Sequence, residues 1–284
     1  IAAKRSDRET ANGCVLVKAE NGFGAIIALK CETDFVANGK DYIQLTQDIL
    51  DAAVAAKAKN LDEVKALTLA DGTKVEDAVI ARSGITGEKM ELDGYNFIEG
   101  ENIYTYNHMN KNLLCTMVQT NKPAAEEGHA VTMQVAAMKP IALDEASVPQ
   151  SVKDEELKVA IEKTKEEQVE KAVQAALKKA GFNLYIAENE EHIAEGIAKK
   201  EITEAQADEI RRIKKEVAEE KAAALPVEMV NNIAKGRMAK FFKESCLLEQ
   251  EFIQDSKLTV AQYLKAADKD LTVVAFKRFT LRAE

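Results

Sequence analysis

The chain has 284 residues, of which 46% are hydrophobic and 31% charged, a balance that sustains a buried core and excludes a disordered polypeptide. Its formal net charge of −9 argues against nucleic-acid backbones and anionic membranes as main partners, because both reward concentrated Lys and Arg. The four cysteines at 14, 31, 115 and 246 show no metal-site rhythm, and no apolar run reaches the roughly 18 residues that a membrane span needs.

The chain opens on Ile1, neither a Met start nor a signal peptide, so a preceding piece is expected to be missing. The first structural signal is a hairpin. Gly13 to Cys31 holds two aliphatic, β-branched runs around Asn21-Gly22, a pair that tolerates the positive φ of a tight turn. After ETDFVANGKD, the spacing of Ile43, Leu45, Ile49, Leu50 and Ala53 predicts a helix, and weaker helical stretches follow at LDEVKAL and KVEDAVIARSG. The order then repeats. Asn102 to Thr120 reads as strand, turn and strand, and EEGHAVTMQVAAMKP reads as a helix stopped by Pro140. The expected fold class is therefore α+β, with two related subdomains whose antiparallel sheets are covered by helices.

From Ser151 to about Ala224, Glu, Lys and Ala dominate. Leu157, Ile161, Val169, Val173, Ala176 and Ala180 form one thin stripe, and Ile202, Ile210, Ile213 and Val217 another. Steps of three and four predict an antiparallel helical hairpin with a coiled-coil seam, which could close on itself or on a second copy in a homodimer. Pro226 suits the first turn of a further helix, PVEMVNNIAKGRMAKFFKES; TVAQYLKAA predicts a short helix, and LTVVAFKRFTL a strand returning to one of the sheets. The expected domains are a first core subdomain at 1–88, a second at 89–150 and 226–284, and the hairpin inserted at 151–225.

No catalytic constellation stands out. His108, His129 and His192 lie far apart, no phosphate-binding glycine loop or nucleophile signature occurs, and Trp is absent. The expectation is a protein that is not an enzyme and takes no cofactor or metal. One local feature carries a binding hypothesis. Thr33-Asp34-Phe35-Val36 sets an acid beside a large aromatic where a strand meets a helix. Thr33 or Asp34 could cap that helix while Phe35 turns inward as a staple; alternatively Phe35 points outward as a wedge into a partner.

At CETDFVA the sequence resembles the bacterial elongation factor Ts family, whose T-D-F-V stretch follows an N-G hairpin. MQVAAMKP (Met133 to Pro140), AKGRMAKFF (Ala234 to Phe242), the QEFI loop leading into SKLTVAQYL, and VAFKRF (Val274 to Phe279) resemble further family segments in the same order. The resemblance implies a cytoplasmic guanine-nucleotide exchange factor that binds elongation factor Tu carrying GDP, disturbs its Mg²⁺ site and promotes GDP release. No direct nucleic-acid contact is implied. Thr33, Asp34, Phe35 and Val36 would form the wedge, and Asn112, Leu113, Gln134, Ile253 and Gln254 would lie near a second contact. Two departures are expected: the family's N-terminal helical module and a terminal helix are missing, and the arm is longer between roughly Glu170 and Ala223. The rival reading is a coiled-coil scaffold or chaperone-like adaptor with the arm as its working end.

Overall fold

The structure, a computed structural model, describes residues 5–282, and the expectation that an N-terminal module and a terminal helix are missing lies outside them. The chain divides into two compact units: residues 1–147 with 243–284, and residues 148–242.

The first unit begins with β1 (Asn12–Glu20) and β2 (Phe23–Cys31), joined by Asn21 and Gly22 at φ 51° and 77°. Both turn positions are left-handed, as a two-residue hairpin requires. α1 (Asp34–Ala37), α2 (Lys40–Ala56), α3 (Leu61–Lys65) and α4 (Val75–Thr86) follow. β3 (Glu91–Glu99) then pairs antiparallel with β2, giving a sheet of order β1-β2-β3. This corrects the expected boundary at residue 88, because residues 91–99 complete the first sheet rather than opening the second. The strand was illegible locally: ELDGYNFIE carries acids and a glycine and few β-branched residues. Gly94 is needed there because a Cβ would press on the Phe279 ring and the Ala28 methyl.

β4 (Ile103–Asn107), β5 (Leu114–Thr120) and β8 (Val273–Thr280) form the second antiparallel sheet, with β5 in the middle and β8 as the returning strand. Alternation along the strands organises the core. Cys14, Leu16, Ala25, Ile27 and Leu29 face the helices of the first sheet, where Ile49, Leu50 and Ala53 of α2 meet them. Val15, Ile26 and Ala28 face the opposite way and pack with Cys115 and Met117 of β5. Burial on both faces explains why β1 and β2 read as continuous apolar runs. α5 (Ala125–Met138) covers the outer face of the second sheet, where Val131 and Val135 join Val118, Leu247 and Val273.

In the second unit α6 (Gln150–Lys179) packs on α9 (Glu204–Ala224), and α7 (Leu184–Ala187) and α8 (Glu190–Ala198) close the connection. Leu177 near the end of α6 meets Ala207 and Ile210 near the start of α9, so the pair runs antiparallel. The buried line on α6 is Ala160, Thr164 and Leu177, while Leu157 and Ala180 are exposed. The stripe expected from apolar spacing was therefore partly out of register. Thr164 satisfies its hydroxyl on the Ala160 carbonyl at 2.6 Å. α10 (Val227–Ser245) begins just after Pro226 and lies in this unit through Phe242, although the sequence assigned residues from 226 onward to the second subdomain. β6 (Glu251–Phe252), β7 (Asp255–Thr259) and α11 (Val260–Ala267) complete the elements, α11 starting from a Thr259–Gln262 capping box.

Candidate functional site

Two local signals place the Thr33–Val36 segment. β2 ends at Cys31, and Thr33 adopts extended backbone as the N-cap of α1, its Oγ1 accepting from the Val36 N–H at 3.3 Å. The helix lasts one turn, since Asn38 and Gly39 redirect the chain into α2 and the Gly39 N–H returns to the Val36 carbonyl at 3.0 Å. Capping and outward projection thus coexist: Thr33 caps, and Phe35 is 86% exposed. A single exposed apolar side chain is common on folded chains, and what sets Phe35 apart is its place on a capped turn. Asp34 is exposed beside it, and only Ala37 of this turn is buried. Phe35, Asp34 and Val36 share a groove with Tyr42, Arg82 and Thr86. Arg82 reaches Asp41 at 3.5 Å across that groove.

Behind the turn lies a reciprocal clasp. Glu88 Oε1 accepts the backbone N–H groups of Glu32 and Thr33 at 3.0 and 2.9 Å, and Glu88 Oε2 accepts the Thr33 hydroxyl at 2.6 Å. In return the Glu32 carboxylate accepts the Lys89 N–H at 2.6 Å and an Arg8 guanidinium N–H at 3.2 Å. The Lys89 amide, followed by Arg8, holds the Glu32 carboxyl below the usual carboxylate range. Gly87 turns the end of α4 at φ 75°, and the Ser83 hydroxyl donates to the Glu88 carbonyl at 2.6 Å, so Glu88 is itself fixed. Under the same turn, Tyr42 donates its hydroxyl to the Leu29 carbonyl at 2.5 Å, and burial pushes the Cys31 thiol up. Sequence reasoning missed Glu88. A pairing across 55 residues has no local signature.

The residues assigned to a second contact fall into two places. Gln134 is fully buried on α5, which removes it from any surface. Its Nε2 donates to Gln250 Oε1 at 3.2 Å and to the Glu251 carbonyl at 3.0 Å, while its Oε1 accepts the Ile253 N–H at 2.8 Å. Gln134 therefore braces the turn between β6 and β7, where Ile253 and Gln254 are exposed. Asn112 and Leu113 sit instead in the turn before β5. Asn112 holds φ 59°, accepts from Asn107 Nδ2 at 2.7 Å, and offers its carbonyl to the Val15 N–H at 2.7 Å.

Histidines distant in sequence meet: His108 and His129 both pack edge-on to Tyr106, at ring separations of 5.7 and 6.0 Å. Among the described residues no group of three or more His, Cys, Asp or Glu side chains is placed to hold a metal. All four thiols are buried and unpaired in disulfides, and burial pushes Cys14 and Cys115 up to about 12.

With this geometry in view, comparison with known proteins is decisive. The family model described as elongation factor TS matches residues 32–190 and 186–283, a span that includes every candidate site residue above. The chain belongs to the elongation factor Ts family. It is 60% identical over its whole length to the elongation factor Ts of Phocaeicola vulgatus, of which it covers 86%. It is 58% identical to that of Parabacteroides distasonis, again covering 86%, and 39% identical to that of Porphyromonas gingivalis, covering 83%. Membership carries the family's role, nucleotide exchange in translation elongation. No helix of the described residues is long and apolar enough to cross a membrane.

Proposed function

We propose that this chain binds elongation factor Tu carrying GDP and drives Phe35 between elements beside the GTPase's Mg²⁺ site, with Asp34 displacing groups that order the ion. The observation that carries this reading is the 86% exposure of Phe35 on a capped, one-turn helix. A phosphate-bound nucleotide in such a GTPase is retained by backbone amides, a lysine and the metal. An exchange factor need not touch the nucleotide itself. It has to prefer the empty conformation, and by linkage each ligand then weakens the other equally. The factor performs no covalent chemistry, so the description as a binding protein rather than an enzyme follows.

The same reading makes Ile253 and Gln254 a second point of contact, with Gln134 as their internal support rather than a contact residue. Asn112 and Leu113 would belong to a separate edge of that contact. The factor acts in the cytoplasm, and the lack of direct nucleic-acid binding agrees with the net charge of −9. Because the apolar seam of α6 is filled by α9 of the same chain, a homodimer would have to use another surface.

Stopped-flow release of a fluorescent GDP from elongation factor Tu tests the proposal. Wild-type chain should accelerate release, and Phe35→Ala should lose about thirtyfold of that acceleration, the worth of a buried aromatic anchor of about 2 kcal/mol. Undiminished acceleration by Phe35→Ala would remove the wedge.

A further inference from the structure

Resting on the wedge reading, we infer that Glu88 is the positioning residue of the wedge: its carboxylate fastens the two residues before Asp34, so that Phe35 is presented outward before any partner arrives. The geometry is specific. One carboxylate takes three donors from consecutive residues, the N–H groups of Glu32 and Thr33 and the Thr33 hydroxyl, at 3.0, 2.9 and 2.6 Å. The Thr33 hydroxyl is used twice, donating to Glu88 and accepting from the Val36 N–H at 3.3 Å. A hydroxyl has one proton and two lone pairs, so both bonds are compatible. Glu88 therefore fixes the rotamer of the cap, and the cap fixes the axis of α1.

α1 needs this help. A helix of one turn lies far below the length at which helices persist alone, because nucleation is costly and few bonds repay it. It packs only Ala37 and part of Val36 against the body, and its most apolar residue faces water. That packing is small, and charge-assisted hydrogen bonds to an anchored carboxylate add the directional hold it lacks. Glu88 is anchored by the Gly87 turn and by Ser83, and Ser83 in turn takes a hydrogen bond from Arg5 at 2.9 Å. The reverse half of the clasp, Lys89 N–H to Glu32, prevents the two segments from sliding past each other. If the wedge were presented only part of the time, apparent affinity for the partner would fall by that fraction. The clasp is the device that keeps the fraction near one.

The test uses the full chain and a fluorescent-GDP release assay with elongation factor Tu, as a double-mutant cycle. Glu88→Ala should lose about tenfold in exchange efficiency, mainly by raising the factor concentration at half-maximal rate rather than by lowering the plateau. Glu88→Gln keeps an acceptor for both N–H groups and should restore most of the loss, remaining within about threefold of wild type. In a Phe35→Ala background, Glu88→Ala should add nothing further, because the group it positions is gone. A partner-free readout comes from the absence of Trp in this chain: Phe35→Trp creates a single Trp at the wedge, excited selectively at the red edge beyond tyrosine absorption. Adding Glu88→Ala should lower the anisotropy of that Trp, and Glu88→Gln should not. Multiplying losses of Glu88→Ala and Phe35→Ala, or an unchanged Trp anisotropy, would overturn the positioning role. An inert Phe35→Ala would instead overturn the wedge reading, and the anisotropy result would still decide the clasp.

Discussion

Glu32 shows how much a single carboxylate can organise at the end of a strand. It accepts from the backbone of one segment and from Arg8, while its own N–H is taken by Glu88 of that same segment. The depressed pKa sets the sign of its pH dependence. A carboxyl whose folded value lies below its ordinary 4.5 contributes stability above that value and loses it only as pH falls through the lower folded one. A carbon-detected NMR titration of Glu32 should therefore give a midpoint below 4.5. Because the Lys89 amide is the leading cause, Arg8→Ala should move that midpoint back only in part. A return to the ordinary value in Arg8→Ala would show that the ion pair, not the amide, dominates.

At the scale of elements, α5 against β4 shows packing overruling propensity. Gly128 lies inside the helix, where Ala ordinarily favours stability by about 1 kcal/mol. Here a Cβ would strike the Tyr104 ring, and the Tyr104 hydroxyl is held in place by the Ala124 N–H at 2.8 Å. Gly128→Ala should consequently destabilise, by about 1 to 3 kcal/mol, the usual cost of forcing extra volume into a packed site. Urea unfolding would register a lower midpoint at unchanged slope; a higher midpoint would mean that the ring can retreat. Gln134 makes a similar point for polar groups. A side chain expected near a partner contact is buried here, with both amide atoms occupied by Gln250, Glu251 and Ile253.

At the scale of the molecule, residues 148–242 and the remainder each have their own hydrophobic cluster. The two strands of chain that leave the first unit are fastened within it: Ile141 N–H meets the Ser245 carbonyl at 2.8 Å, and Ala142 bridges Cys246 in parallel. Replacing Ser151 to Ala224 by a short Gly-Ser linker should therefore leave a folded first unit that still accelerates GDP release, with reduced efficiency. Circular dichroism confirms folding, and the stopped-flow assay measures exchange. Complete loss of exchange in a folded deletion variant would favour the rival reading, in which the arm is the working end of an adaptor.

What the sequence by itself determined is what neighbours along the chain decide. Asn21-Gly22 specified a hairpin because both turn positions accept positive φ, and α2 followed from a spacing near 3.6. The α+β class and the helical pair were legible on the same local terms, whereas Thr33 to Val36 stood out through the family resemblance. Tertiary structure decided the rest, because it depends on contacts between distant segments. β3 exists as a strand because β2 offers it an edge, and the seam register of α6 was set by what fits against α9. Whether Phe35 turned inward or outward was open to Thr33-Asp34-Phe35-Val36 alone. The outward direction goes with Glu88, because a one-turn helix that anchors only Ala37 and part of Val36 draws further direction from hydrogen bonds to a distant carboxylate.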